Sequence, residues 1–289
     1  MGASSGIGTI RALGPADVSA GLRLGAQAGW NQTVADWQRM LDLQPGGCFG
    51  LEVAGQVVAT VTTIVYPGKL AWVGMMLVDQ QWRRHGFGRR LLQRALDWLA
   101  AGGVSMVMLD ATPLGRNLYL QLGFRDLFDL ERRQGLALGR STADIAIRPL
   151  QPNELDNAAG EFDTLAFGRD RLRVLRGCLS SPGAFGFVAG STGKLTGLVM
   201  ARPGAHHWHI GPLEATDDLA AKALFDAALA PLAGQPVLID VPSPNAFARE
   251  LAASRGLAVA RTLTRMVLGG DPPPVDVGLT YGIAGLETG

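Results

Sequence analysis

Val78-Asp79-Gln80-Gln81-Trp82-Arg83-Arg84-His85-Gly86-Phe87-Gly88-Arg89-Arg90-Leu91-Leu92 is the stretch from which the rest of the chain is read. An apolar strand runs into Val78 and an apolar-faced helix runs out from about Gly88 to Ala101, so the basic, glycine-containing segment between them joins a strand end to a helix N-terminus. Such a terminus has unpaired N–H groups and roughly half a positive charge, and it attracts anions. Gly86 and Gly88 clear space for a phosphate to approach the backbone, while Arg83, Arg84, Arg89 and His85 add positive charge. No Gly-Lys-Ser/Thr follows, which disfavours nucleoside triphosphate hydrolysis.

Outward from this loop, the N-terminal side reads as a strand over Thr9–Leu13, a helix opened by Pro15-Ala16-Asp17, and a helix over Thr33–Leu43 with Trp37, Met40 and Leu41 on one face. Three β-rich runs follow, Cys48–Val53, Gln56–Val65 and Leu70–Val78, with Ala54-Gly55 and Pro67-Gly68 as turns. After the loop and its helix come a strand over Val104–Asp110, a helix to Leu122 and a strand from Phe124. The order is β-α-α-β-β-β-α-β-α-β.

Around residue 142 periodicity fades, and then the same order begins again. Strands are expected at Ile145–Leu150, Ala184–Ala189, Lys194–Ala201, His206–Leu213, Pro236–Val241 and Leu257–Leu268, with helices at Asn153–Ala166, Arg169–Leu179, Asp217–Leu232 and Ser243–Arg255. The run Val107-Met108-Leu109-Asp110-Ala111 resembles Val237-Leu238-Ile239-Asp240-Val241. A final strand, Leu279–Leu286, is expected to complete the second sheet, and exchange of elements between the halves is left open.

With 26 Lys+Arg against 25 Asp+Glu the chain has no basic field for a nucleic acid or an anionic membrane. No run reaches the ~20 apolar residues of a membrane span, and the reading is cytoplasmic. Cys48 and Cys178, far apart, suggest neither a disulfide scaffold nor a zinc site, and His207 with His209 lacks a third ligand. Gly2-Ala3-Ser4-Ser5-Gly6-Ile7-Gly8 matches the glycine turn of short-chain dehydrogenases, but only Met1 precedes it where a buried strand is needed, and no Tyr has a Lys four residues on. Residues 2 to 8 are therefore read as a flexible leader, with a dehydrogenase as the weak alternative.

The spacing Arg83-x-x-Gly86-x-Gly88, in its strand-to-helix setting, resembles the pyrophosphate-binding motif of the GNAT superfamily of acyl-coenzyme A-dependent N-acyltransferases, whose element order is also the one read here. The resemblance implies an α/β fold of the α+β type: two tandem GNAT-like domains, each a mixed, mostly antiparallel sheet flanked by helices. It assigns residues 9–135 to an acetyl-coenzyme A-binding unit and 143–289 to a degenerate one that is structural or helps shape the substrate site. It further implies that the strand before the loop splays from its neighbour, so that Met76, Leu77 and Val78 meet the pantetheine arm. Arg83, Arg84, His85, Gly86, Phe87, Gly88 and Arg89 would hold the pyrophosphate.

A Tyr four residues before a Gly-Phe pair, here Tyr119, usually faces the coenzyme sulfur in this family. Its phenol, with an ordinary pKa near 10, is able to protonate a departing thiolate. Thr112 stands seven residues earlier, where the family often has Asn. In the second half Leu213-Glu214-Ala215-Thr216-Asp217-Asp218 occupies the loop position without its arginines or glycines, and Ala252 replaces the tyrosine. Ala28-Gly29-Trp30-Asn31-Gln32-Thr33, Ala166-Phe167-Gly168 and Ile210-Gly211-Pro212-Leu213 support a closer likeness to two-domain bacterial acetyltransferases.

Trp30, Asn31 and Gln32, at the first helical corner, are the candidates for the acceptor pocket, and no residue declares itself the general base. The expected activity is transfer of acetyl from acetyl-coenzyme A, without a metal, directly to a primary amine of a small molecule or peptide. A non-catalytic acyl-coenzyme A sensor is the alternative. The expected assembly is a monomer or homodimer without nucleic-acid or membrane partners.

Overall fold

The computed structural model describes residues 8–139, 146–191, 194–270, 272 and 278–289. Most of the glycine-rich leader and the expected boundary near residue 142 lie outside them. The first half runs β1 (Thr9–Ala12), α1 (Val18–Gln27), α2 (Val34–Leu43), β2 (Phe49–Val53), β3 (Gln56–Tyr66), β4 (Leu70–Val78), α3 (Phe87–Ala101), β5 (Met106–Ala111), α4 (Pro113–Gln121) and β6 (Arg125–Leu136). The second runs β7 (Ile147–Pro149), α5 (Ala158–Phe167), α6 (Leu172–Leu179), β8 (Phe185–Ser191), β9 (Lys194–Arg202), β10 (Trp208–Ala215), α7 (Asp218–Leu229), β11 (Pro236–Pro242), α8 (Ala246–Ser254), β12 (Ala258–Leu268) and β13 (Thr280–Gly282).

Local chemistry accounts for the elements that frame the cleft. Thr33 caps α2 by accepting from Asp36 N, and Asp36 answers at Thr33 N, a reciprocal box that fixes where the helix starts. In α3, Phe87, Leu91, Leu92, Ala95 and Leu99 form the buried stripe that packs on β2, β3 and β4. Strand β3 is buried on both faces over most of its length, with α1 and α2 on one side and α3 on the other.

The strands of the described residues join one mixed sheet in the order β1-β2-β3-β4-β5-β12-β6-β11-β10-β9-β8-β7, with β13 added against β10. The last long strand of each half has crossed over: β12 pairs with β5, and β6 pairs with β11. Strands β6 and β12 also pair antiparallel, with Leu130 opposite Leu263 at the centre, and the strand order reads alike from either end.

Two buried ion pairs lock the exchange at equivalent places. Arg265 on β12 meets Asp110 on β5 at 2.8 and 3.0 Å, and Arg132 on β6 meets Asp240 on β11 at 2.7 and 2.6 Å. In both cases the residues are direct cross-strand partners. These bidentate contacts are geometrically specific, so they fix register as well as charge balance.

The expected final strand, Leu279–Leu286, is shorter than the sequence suggests. Only Thr280–Gly282 is strand, and Ile283–Gly289 then runs between the halves, held by Arg171 and Arg202 of the second and by Tyr66 and Trp72 of the first. Trp72 Nε1 donates to Leu286 O at 3.0 Å and Tyr66 Oη to Thr288 O at 2.7 Å. Those bonds satisfy polar backbone that would otherwise be buried unpaired, and they outweigh further ladder pairing.

Candidate active site

Strand β4 pairs with β5 only over Leu70–Trp72, opposite Met106–Met108, although β4 continues to Val78 and β5 to Ala111. A bulge against β3 helps turn β4 away. Met75 sits at φ 47°, and Thr60 Oγ1 donates to Met75 O at 2.9 Å. The gap is a narrow, partly enclosed cleft lined by residues of both halves.

Of the sequence-predicted residues, Trp30, Gln32, Met76, Thr112 and Tyr119 line this one cleft. Tyr119 is buried and its ring meets Phe124 edge-on at 5.8 Å. Burial pushes its phenol up to about 12, so it carries its proton throughout the neutral range. Thr112 caps α4, accepting from Gly115 N at 3.3 Å, and its own hydroxyl hydrogen remains to donate.

The predicted anion loop lies at the far end of β4, outside the cleft lining. Gly86 caps α3 in the left-handed region, φ 76°, and no atom lies within 4 Å of where a Cβ would project. That leaves an open cradle in front of the first-turn N–H groups. Phe87 is buried and stacks on Trp82 at 5.6 Å, with the His85 ring 5.9 Å from Trp82, so these side chains anchor the loop. Arg83 Nε donates to Val78 O at 3.3 Å, Arg89 bonds Gln121 at 3.3 Å, and Arg84 is exposed. Leu77 packs into the core opposite α3, whereas Met76 and Val78 face α3.

Asn31 lies apart from the cleft. Its side-chain oxygen accepts from His206 N and His207 N, both at 2.9 Å, and its amide donates to His207 O, so it fastens the β9–β10 loop of the other half. Asp79 belongs to the loop anchor. Burial pushes its carboxyl up, but hydrogen bonds from Arg23, Gln81 N and Gln27 outweigh that and hold it below the ordinary range.

The cleft lining also includes residues the sequence does not single out, among them Asp110 and, from the second half, Arg261, Leu263, Leu286 and Glu287. Glu287 is buried, and its carboxylate takes Arg202 Nη2 and Gln32 Nε2, both at 3.3 Å. Gly74 on β4 is the floor for this segment, since an added Cβ would lie 2.8 Å from Glu287 Cα.

The equivalent gap in the second half is closed. Strand β10 pairs with β11 over three residues and then parts, but β13 fills the opening, with Leu213 opposite Gly282 and Glu214 opposite Thr280. Eight residues separate β4 from α3, whereas only Thr216 and Asp217 separate β10 from α7. That connection is too short to form a phosphate loop. Among the described residues no His, Cys, Asp and Glu group could hold a metal, and no helix is long and apolar enough to cross a membrane.

Known proteins share this organisation. Residues 24–124 match the acetyltransferase (GNAT) family and residues 160–282 an acetyltransferase (GNAT) domain. Holothin acyltransferase from Pseudoalteromonas sp. (strain SANK 73390) is 26% identical over 215 residues, which is 74% of this chain and 72% of that protein. The uncharacterised N-acetyltransferase YitH of Bacillus subtilis (strain 168) is 27% identical over 233 residues, 79% of this chain and 80% of its own. The crystal structure of a putative acetyltransferase from Pyrococcus horikoshii superposes with a TM-score of 0.85 at 25% identity, covering 98% of this chain and 96% of that one. With both halves matched and the fold in common, the chain belongs to the GNAT acyltransferase superfamily as a tandem of two such units.

Proposed function

We propose that the chain transfers an acetyl group from acetyl-coenzyme A directly to a primary amine, with the first half binding the coenzyme. The observation that carries this reading is the cleft itself, a parted strand pair with Tyr119 inside it and the open Gly86 cradle at the end of the same strand. The free edge over Met76–Val78 suits an extended pantetheine arm, as the matching edge of β10 takes β13. The loop N–H groups, with Arg83, Arg84 and Arg89, suit the pyrophosphate.

In the proposed step the acceptor ammonium gives a proton to Glu287, directly or through water. The amine nitrogen bonds to the acetyl carbon, the carbon–sulfur bond breaks, the departing thiolate takes the Tyr119 proton, the nitrogen releases its second proton through water to solvent as the amide forms, and the tyrosinate regains a proton from solvent. An acyl-enzyme on Cys48 fits less well, because burial raises that thiol to about 11 and its Sγ faces Met40 O at 3.7 Å. The acyltransferase name of the holothin relative agrees with acyl transfer.

Calorimetric titration with acetyl-coenzyme A, followed by thiol release on an amine panel, tests the reading. Binding is expected in the wild type and lost in Gly86→Glu, and Tyr119→Phe is expected to lower kcat on the order of 100-fold. Binding without transfer to any amine would favour a coenzyme sensor, and no binding by the folded chain would end the acyltransferase reading.

A further inference from the structure

Among the described residues, two buried polar atoms in residues lining the cleft have no partner, Gln32 Oε1 and Arg261 Nε. They are complementary, one an acceptor and the other a charged donor. An unsatisfied buried polar group is costly, more so when charged, so each is a place where a ligand gains affinity.

Gln32 is held in its orientation because its Nε2 donates to Glu287 Oε2 at 3.3 Å, which leaves Oε1 to accept. Beside it the Glu287 carboxylate supplies negative charge, although it is shared with Arg202. This end of the cleft suits an ammonium group.

Arg261 comes from the exchanged strand β12, just past a bulge, and its cross-strand partner is Arg132. The Arg132 guanidinium is committed to Asp240 through both of its bonds. Among the described residues Arg261 forms no ion pair of its own. Burial and then the Arg132 charge push its pKa down to about 10, against the weaker pull of Asp240. A half-buried cation beside a second cation is satisfied by an anion. Coenzyme phosphates do not meet that need under the reading above, since Arg83, Arg84 and Arg89 lie outside the cleft lining.

Resting on the acyl-transfer reading, we propose that the acceptor is a zwitterion of amino-acid type, whose amine meets Gln32 and Glu287 and whose carboxylate is bound by Arg261. A simple amine would leave Arg261 unsatisfied, so discrimination should be strong.

The test compares free amino acids with their carboxamides as acceptors, using acetyl-coenzyme A, in the wild type, Arg261→Gln and Arg261→Lys. The best amino acid is expected to exceed its carboxamide in kcat/KM by roughly 10- to 100-fold, one charged hydrogen-bonding pair. Arg261→Gln should bring that ratio to about threefold or less, and Arg261→Lys should retain part of it. Calorimetry of N-acetylated amino acids against N-acetylated amino amides reads the same preference without turnover, and circular dichroism checks folding.

Transfer to amines with no carboxylate preference overturns this proposal and leaves acyl transfer standing. Arg261-dependent binding of N-acetyl amino acids without any turnover keeps the ligand class and overturns the transfer reading. If Arg261→Gln changes the choice between succinyl- and acetyl-coenzyme A while amino acids and carboxamides react alike, the anion belongs to the acyl group and the proposal fails. Absence of the preference in both measurements also overturns it.

Discussion

Arg132→Met tests what holds the exchanged strands in place. Arg132 Nε and Nη2 meet Asp240 Oδ1 and Oδ2 at 2.7 and 2.6 Å, and the Asp240 side chain is 0% exposed. With the guanidinium gone, His209 Nε2, 3.6 Å from Asp240, is the basic group left within ion-pair distance, and Arg261 acts on Asp240 only from farther away. His209 is a poor substitute, because burial, together with Arg202, Arg132 and Arg39, holds its pKa well below the ordinary range.

The variant therefore strands a buried carboxylate, at a cost of about 3–5 kcal/mol. With a urea m-value on the order of 3 kcal/mol/M, the midpoint should fall by about 1–1.7 M. Arg132→Met combined with Asp240→Leu removes both charges, and it should return to within about 1 kcal/mol of the wild type, giving a large coupling term. Urea unfolding followed by tryptophan fluorescence and by circular dichroism reads both the midpoint and the cooperativity. Five of the six tryptophans lie before residue 100, so fluorescence reports mainly the first half. Because each bridge ties one half to the other, the two signals should coincide. A cost below about 1 kcal/mol for Arg132→Met, a double variant that loses the sum of the singles, or separated transitions would refute the argument.

Two further outcomes follow from the geometry. Gly74→Ala places a Cβ 2.8 Å from Glu287 Cα, so the C-terminal segment must shift; a cost of about 1–3 kcal/mol in stability and a roughly tenfold or greater loss of acyl transfer are expected, read by urea midpoint and thiol release. Stability should also fall above pH 10, where unfolded phenols ionise while Tyr119, raised by burial to about 12, and Tyr66, raised further by the same cause, do not. The contribution is fully present below pH 10 and is lost as pH rises toward 12, by about 1.4 kcal/mol per pH unit for each residue, and Tyr119→Phe should show the smaller loss between urea midpoints at pH 9 and pH 11.

The anion loop is legible in the sequence because its signal is local: a strand, two glycines, arginines and an apolar helix within fifteen residues. Tyr119, Thr112, Met76, Trp30 and Gln32 reach one cleft because the element order already places those strand ends and helix corners together. Asn31 shows the limit of that logic. Its neighbours line the cleft, but its own amide is spent on a loop whose residues lie about 175 positions away. The crossover of β6 and β12 is hidden for a different reason. Two copies of one unit offer each edge two equivalent partner strands, so hydrophobic pattern cannot choose between them. A signal was nevertheless present, since each half carries an Asp in an apolar strand and arginines in its last strand, with Arg132 and Arg265 at equivalent places. Charges in otherwise apolar strands need partners, and here each finds its partner in the other half.

The second half's loss of its own cleft and its contribution to the first cleft are one structural event. Strand β13 closes the gap beside β10, Ile283 N bonds Asp240 O at 3.0 Å, and Arg202 holds Ala284 O at 2.9 Å. The chain then runs straight on to Leu286 and Glu287 in the first half's cleft. A segment left outside the β10 edge, as a coenzyme there would require, would lose the anchors that aim residues 283–289 at β4. The same backbone edge cannot serve an arm of coenzyme and β13 together, because both need its unpaired N–H and C=O groups. A tandem built this way keeps one open cleft and spends the other as the mount for part of its wall.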